Sequence, residues 1–538
     1  MKMMGKSFRA GLTAAALIAF LASLFLLRTR GASAADDQPP GPDRYTIVTQ
    51  NYTSYTWWLT GFSDNKVLCT INVDHKGVPT GGEIFDACGQ ATYLKWASTQ
   101  SCSPGGSCKG YYLEFINSTP ATRKVGVELP PPVVWVTLDG CVPYRSTFRC
   151  DSLPTLVLTG EEPLDGQHIT SLAGRVDGKP FTCDPVCQVD LVPTDTDGIT
   201  VEFWAYSSYG DSSVLFQARV RVIPSDDASG HFWYTDVISP QWRGDPLAAC
   251  SQDWNAFPPV GGVPDWLLTP QRADDLATDI PYEFLAGHLI MEKVVDASTC
   301  VDNGLLPNDA ASACGMDAAR SAVTEWQNRY DSLIFSAARD TGVPARLLKD
   351  IFARESQFWP GVTTDQPEAG LGQMTDGGAD TTLLWNQPFF EQFCATAMDD
   401  ASCRKGYANL TASQQDLLRS ALVKSVDANC PDCQLGIDLS RAENSVTVFA
   451  QTLLANCDQT GMIVHNTYYQ TPGESAGYED LWRFTLVNYN AGPGCLTLAI
   501  RDTSSAGDPL DWDHLLTHLT PACQGAVDYV NSMSQSPP

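Results

Sequence analysis

The sequence predicts a multidomain chain, with all-β, sandwich-type modules in the N-terminal half and an α-rich domain in the C-terminal half. Three observations predict it. At 538 residues the chain is longer than one hydrophobic core spans. Apolar and polar residues alternate with period two in runs from Tyr45 to about Val222. Beyond Pro270 the apolar spacing becomes helical, and a change of period along one chain marks a change of architecture.

The elements follow in order. In residues 1–34, Lys2, Lys6 and Arg9 precede an apolar run from Leu12 to Leu27, and Ala32-Ser33-Ala34 follows Arg28 and Arg30. That is the layout of an export signal. Two fates stay open: removal, or retention as a membrane anchor, since the apolar run is near the lower limit for spanning. Either way the remainder is expected outside the cytoplasm, in the cell envelope or beyond it. Residues 35–44 are polar and Pro-rich, a linker. YYLEFIN (111–117), VVWVTL (133–138), ITVEFWAY (199–206) and VLFQARVRV (214–222) read as strands separated by Gly, Pro, Asp and Ser. A break at Asp151–Pro154 divides this half into a β-rich module, 45–150, and a second module, 151–224. The second has the strand spacing of an immunoglobulin-like sandwich, with Cys183 and Cys187 expected to staple a hairpin. Residues 225–270, rich in Pro, Gly and Trp, read as a linker, and 271–538 as the α-rich domain.

Composition narrows the setting. The formal charge of −28 argues against nucleic acid as a partner, because phosphate backbones are bound through excess positive charge. Of the 18 cysteines, eight fall between Cys69 and Cys187 and ten between Cys250 and Cys523. Even numbers in each half suit domain-local disulfides in an oxidising compartment. Connectivity is not readable from spacing.

One carboxylate in the α-rich half stands out. PARLLKDIFARES (344–356) opens with Pro344 in a helix's first turn, and Leu347, Leu348, Ile351 and Phe352 form its apolar seam. Glu355 follows Ile351 by four residues and Leu348 by seven, which puts it on the seam. A carboxyl group there loses hydration and is held protonated toward neutral pH, as a general acid requires. The competing reading is plain: the helix ends, the seam ends, and water returns. Pattern alone does not exclude it.

The flanking motifs bear on that choice. ARESQFWP (353–360), EAGLGQMT (368–375) and NYNAGPG (488–494) resemble, in order, the three signatures of the soluble lytic transglycosylase family: an ES-x-F-x-P helix end, a G-L-x-Q loop and a Y-N-A-G segment. The likeness covers 326–538, including DYV (528–530), which is similar to the family's closing helix. It implies a lysozyme-like fold for the core of the C-terminal domain and no cofactor or metal. It also implies cleavage of the β-1,4 bond between N-acetylmuramic acid and N-acetylglucosamine in peptidoglycan glycan strands, with 1,6-anhydromuramic ends and a single glutamate acting as acid and then base. Matched position by position, Glu355 is the catalytic residue. Ser356, Gly370, Leu371, Gln373, Tyr489 and Asn490 border the sugar site, with Gly370 allowing close backbone approach and Gln373 hydrogen-bonding substrate. The Tyr489 hydroxyl would orient the carboxyl group or stabilise developing charge. A lysozyme-like hydrolase and a non-catalytic wall-binding or scaffold protein are the alternatives.

The likeness has gaps. Gly372 stands where many members have methionine, which implies loss of a side-chain wall. Residues 376–443 are longer than the family's span and carry four cysteines, so a disulfide-braced insertion is expected. Asn444 matches a helix bordering the cleft, but Val448 and Gln451 replace the glycine and tyrosine expected later in that helix. Four other patterns carry less. Gly473-Glu474-Ser475-Ala476-Gly477 fits a nucleophile elbow but lacks the preceding strand. Cys430-Pro431-Asp432-Cys433 fits a structural disulfide better than a redox pair. His514 and His518 with Asp511 and Asp513 have metal-ligand spacing but no further ligand. Trp57, Trp58, Trp204 and Tyr206 could stack sugars, though core or turn packing is the simpler account of them.

Overall fold

A computed structural model describes residues 39–99, 109–227, 230–361 and 368–535. The expected export signal, Cys102 and Cys108 lie outside them. Two sheets in the N-terminal region precede a helical C-terminal region, and the chain divides into two units.

The first unit comprises the chain up to Pro132 with segments Glu162–Ile169 and Tyr206–Val214. Its antiparallel sheet has the order β2-β1-β3, from β1 (Tyr45–Gly61), β2 (Val67–Val73) and β3 (Tyr111–Glu128). Helices α1 (Gly81–Cys88) and α2 (Gln90–Ala97) cover one face, where Leu59, Ile71, Val73 and Ile84 are buried. Cys69–Cys88 ties β2 to α1. Successive side chains point to opposite faces of a strand, so Trp57 joins this core, edge-on to Phe115 at 5.2 Å, while Trp58 faces away, 36 % exposed. The two excursions into this unit are held by the buried Arg44, whose guanidinium pairs with Glu162 at 2.8 Å and Asp211 at 2.6 Å.

The second unit carries an eight-stranded sheet of order β4-β5-β11-β10-β9-β6-β7, with β8 on β5. Its strands are β4 (Val133–Tyr144), β5 (Thr147–Glu161), β6 (Ile169–Val176), β7 (Lys179–Cys183), β8 (Val186–Asp190), β9 (Ile199–Ser207), β10 (Phe216–Asp227) and β11 (Gly230–Ile238). Alternation supplies its core: Val134 and Val136, Leu156 and Leu158, Val201 and Phe203, Ala218 and Val220 are all buried. Three sequence expectations change here. β5 continues through Asp151–Pro154, where its ladder with β4 shifts register (Cys141 faces Cys150 and Asp139 faces Thr155), so the expected module break is an irregularity inside a strand, and β4 and β5 belong with the later strands. β5 also forks, its start pairing with β11 and its end with β8, so these strands share one hydrogen-bonded path. Cys183–Cys187 does not staple a hairpin, because β7 pairs with β6 and β8 with β5.

The described residues of the expected linker 225–270 also carry regular structure and core packing. Its first part is the β10–β11 hairpin. After it, Trp254 in α3 (Ser251–Trp254) is fully buried, its indole donates to the Cys457 carbonyl at 3.0 Å, and Cys250 is bonded to Cys457. The apolar residues that gave this stretch a linker-like mixture with Pro and Gly are core residues of the helical region. The helices are α4 (Glu283–Met291), α5 (Ala313–Asn328), α6 (Asp331–Thr341), α7 (Ala345–Ser356), α8 (Asp376–Trp385), α9 (Gln387–Ala397), α10 (Asp400–Cys403), α11 (Ala412–Val426), α12 (Leu439–Tyr468), α13 (Pro472–Ser475), α14 (Tyr478–Ala506), α15 (Trp512–His518) and α16 (Gly525–Ser534). The 30-residue α12 is the central strut, with α6, α8, α11 and α14 against it.

Eight disulfides occur among the described residues, and none of these cysteines is free. They suit an oxidising, extracellular environment. No helix among the described residues is long and apolar enough to cross a membrane.

Candidate active site

Helix α7 is fixed before its last turn. Leu347, Leu348, Ile351 and Phe352 are completely buried. The buried Lys349 ammonium donates to the Leu276 carbonyl, Asn328 Oδ1 and Asp331 Oδ1 at 2.7, 2.8 and 2.7 Å. The helix then stops sharply: Gln357 and Phe358 take left-handed backbone, φ 46° and 62°. The Gln357 side chain accepts from the Phe284 N–H at 3.0 Å, tying this end to the start of α4. Glu355 therefore rides on a braced turn, not a fraying one.

Its carboxyl group is largely buried, and burial pushes its pKa from 4.5 up to about 7. The nearby Glu368 carboxylate pushes the same way, whereas a hydrogen bond from the Tyr529 hydroxyl, 2.5 Å from Oε1, pulls it down. Desolvation dominates. Glu355 is half-buried, so less water reaches it than at an open helix end.

Glu355 lines two cavities at once. One, of about 530 Å³, is walled by Glu368, Gly372, Gln373, Met374 and the start of α8, by Phe449, Thr452 and Asn456 on α12, and by 488–493 on α14. The other, of about 380 Å³, is walled by Phe284, His288, Asn308, Asp309, Arg354, Ser356 and Gln357. Glu355 is the residue that the two linings share.

The G-L-x-Q loop is a tight turn in which Ala369 and Met374 exchange backbone hydrogen bonds at 3.1 and 2.7 Å. Gly370, at φ 75°, could not carry a Cβ without meeting the Val426 carbonyl at 2.9 Å. Leu371 is completely buried. Neither lines the cavities, so both shape the wall from behind. The Ser356 hydroxyl lies 2.7 Å from the Leu371 carbonyl and 3.1 Å from that of Phe352, fastening the loop to α7. Gln373 reaches the cavity, but its Nε2 donates to the Gly370 carbonyl at 2.8 Å, so its amide is partly spent on the turn.

Gly372 answers the missing methionine. A Cβ there would meet the Phe449 ring at 2.6 Å and the Tyr489 hydroxyl at 2.8 Å. The wall is not lost; Phe449, one residue after Val448, occupies it from α12. The expected insertion is α8–α11 with Cys394–Cys403. It is not remote from the site, because Thr375, Gly377, Gly378, Asp380 and Thr381 line the larger cavity. Asp380 is held by the Tyr407 hydroxyl and by Arg419 at 2.9 Å.

The NYNAGPG segment breaks a helix. Gly492 has φ 83°, and Pro493 starts the second half of α14, glycine tolerating the turn and proline the missing N–H. The break presents Tyr489 and Asn490 to the cavity. The Tyr489 hydroxyl donates to the Gly372 carbonyl at 2.6 Å, so the residue expected to orient the carboxyl group braces the loop instead. Tyr529 on α16 orients Glu355. Sequence reasoning noticed the DYV string as a helix and did not assign this tyrosine a role. It also passed over Glu368, read as the start of a glycine motif.

The remaining patterns resolve simply. Ser475 ends a one-turn helix after α12, with no strand before it. Cys430 and Cys433 are bonded. His514 pairs with Asp511 at 2.7 Å and His518 with Asp508 at 3.0 Å, separate pairs and not one ligand cluster. Trp204 is 4 % exposed, too buried to stack a sugar.

Comparisons with protein-family models, with curated proteins and with solved structures each return no match.

Proposed function

We propose that this chain is a peptidoglycan lytic transglycosylase with Glu355 as its acid and then its base. One observation carries the reading: a desolvated glutamate, its carboxyl group hydrogen-bonded by Tyr529 and its pKa pushed up by burial, that lines two cavities. A glycan strand lying through both would put its scissile bond over the Glu355 proton. Glu355 gives the proton to the β-1,4 glycosidic oxygen, and the muramic acid's acetamido group assists departure at C1. The carboxylate then takes the proton of the same sugar's C6 hydroxyl as O6 closes on C1. Glu355 ends protonated, the product carries a 1,6-anhydro ring, and no water is consumed. This is a one-carboxylate departure from the usual glycosidase pair.

The finer structural readings belong to this proposal: a lysozyme-like helical domain, an immunoglobulin-like character for the eight-stranded module, and β modules that act as spacers or wall-binding units. So do export to the cell envelope, the peptidoglycan partner and any anchoring through an uncleaved leader.

Glu368 favours a second reading. It lines the larger cavity with Glu355 and acts on it electrostatically, which is the arrangement a hydrolase needs to activate water with a second carboxylate. Mass spectrometry of digested wall separates the two. Anhydro ends support the lyase; reducing ends would support hydrolysis with Glu368 as base. If the parent binds wall without cleaving it, the scaffold alternative holds.

A further inference from the structure

Among the described residues that line the larger cavity, Asn488 carries a buried side-chain acceptor without a partner. Asn488 is 2 % exposed, in the first half of α14, and lines that cavity. Its Nδ2 donates to the Asn456 carbonyl at 3.3 Å and to Gln459 Oε1 at 2.9 Å, both on α12. The Asn456 carbonyl accepts only, so the amide's donor end must face α12. That leaves Oδ1 facing elsewhere, and no group among the described residues donates to it. A buried acceptor without a donor is costly, and an active-site wall is where such a cost is met by a ligand. Neither half of the amide is interchangeable, because the donor end is structural.

The surroundings indicate which donor. Phe449, Thr452 and Asn456 face the cavity from one stripe of α12, spaced three and four residues apart, and Met374 adds apolar surface. The hydroxyls of Thr452 and Thr382 are hydrogen-bonded to each other at 2.9 Å. This stretch of the wall offers apolar surface and a pair of hydroxyls already bonded to each other. An N–H next to a methyl group fits this better than a cluster of sugar hydroxyls does.

Resting on the glycan reading above, we infer that Asn488 Oδ1 accepts a hydrogen bond from the acetamido N–H of an N-acetylated sugar in the larger cavity. Asn488 thereby selects for N-acetylation of the strand. It is a specificity-determining residue and takes no part in proton transfer.

The test is a two-by-two binding titration on the full chain in the Glu355→Gln background, which prevents turnover. The probes are a β-1,4 N-acetylglucosamine tetramer and its isostere in which each acetamide is replaced by a 2-O-acetyl ester, lacking only the N–H. The expected result is about tenfold weaker binding of the ester, the order of one neutral hydrogen bond. In Asn488→Ala the two probes bind alike, through loss of amide affinity alone. Equal binding of amide and ester by the Asn488-containing protein overturns the inference and needs no second substitution, so a folding failure of Asn488→Ala does not shield it. Equal weakening of both probes by Asn488→Ala also overturns it, assigning the residue a structural role. Gln459→Leu removes a structural partner of Nδ2 and leaves Oδ1 in place; it should lower the unfolding midpoint while keeping the tenfold preference. If the preference holds but wall digests lack anhydro ends, the lyase reading falls and this inference stands. If neither probe binds, both fall.

Discussion

Replacing Glu355 by glutamine should stabilise the folded protein, by an amount that depends on pH. The folded chain holds the Glu355 proton up to about pH 7, whereas a carboxyl with the ordinary value of 4.5 releases it early. Below pH 4.5 both states carry the proton, and glutamate and glutamine are nearly equivalent. As pH rises from 4.5 to 7, the unfolded chain gains a hydrated carboxylate and the folded chain resists forming a buried one, so stability falls across that window. Above 7 the folded state carries the full penalty. At about 1.4 kcal/mol per pH unit, the interval amounts to about 3 kcal/mol. That is an upper figure, because the carboxyl group also borders two cavities. Glutamine keeps an acceptor for the Tyr529 hydroxyl and has no charge to bury. Glu355→Gln should therefore match the parent near pH 4 and unfold roughly 6–12 °C higher at pH 8. Thermal denaturation of both proteins from pH 4 to pH 8 measures it. Asp350, whose pKa burial raises to about 6, titrates in both proteins and cancels in the difference. A difference that stays flat with pH, or a variant less stable at pH 8, would refute the argument that Glu355 is a desolvated acid.

Two neighbours should move the alkaline limb of activity in opposite directions. Tyr529→Phe removes a hydrogen bond to the charged form, so the Glu355 pKa and the limb move up, and kcat falls tenfold or more as the carboxyl group loses its orientation. Glu368→Gln removes a like charge, so the limb moves down; pH–rate profiles that shift the same way in both variants would contradict this. Gly372→Ala should destabilise by about 1–3 kcal/mol, since its Cβ meets Phe449 and Tyr489. In a Phe449→Leu background the loss should shrink, and denaturant titrations giving equal losses in both backgrounds would show that Phe449 does not fill the wall.

What was legible from sequence was local. Seam periodicity placed Glu355 on the buried side of α7, because helical phase is fixed within two turns. The same holds for the helix start at Ala345 and for the strand runs at 111–117 and 199–206. Hydrogen bonds between distant residues left no such trace. Tyr529 lies 174 residues from Glu355, and nothing in DYV distinguishes a core tyrosine from one that touches the acid. Motif strings also misassigned work within themselves. Ser356 and Tyr489 line the cavities and brace the loop at the same time, whereas Gly370 and Leu371 support it from behind, because a string of residues does not say which side chains face the cavity. Asp151-Ser152-Leu153-Pro154 looked like a module break since Asp, Ser and Pro favour turns. That preference shows as a register shift: Asp151–Pro154 have no partner on β4, and the pairing of β5 with β4 on both sides of them keeps the strand continuous.

The central claim is that one carboxyl group cleaves a peptidoglycan strand without water. Mass spectrometry of purified wall digested by the parent and by Glu355→Gln, in heavy-oxygen water, tests it most directly. Products of the parent should end in 1,6-anhydromuramic acid with no heavy oxygen incorporated, and the variant should release none. Reducing ends carrying the heavy label, or cleavage by Glu355→Gln at the parent's rate, would contradict the account.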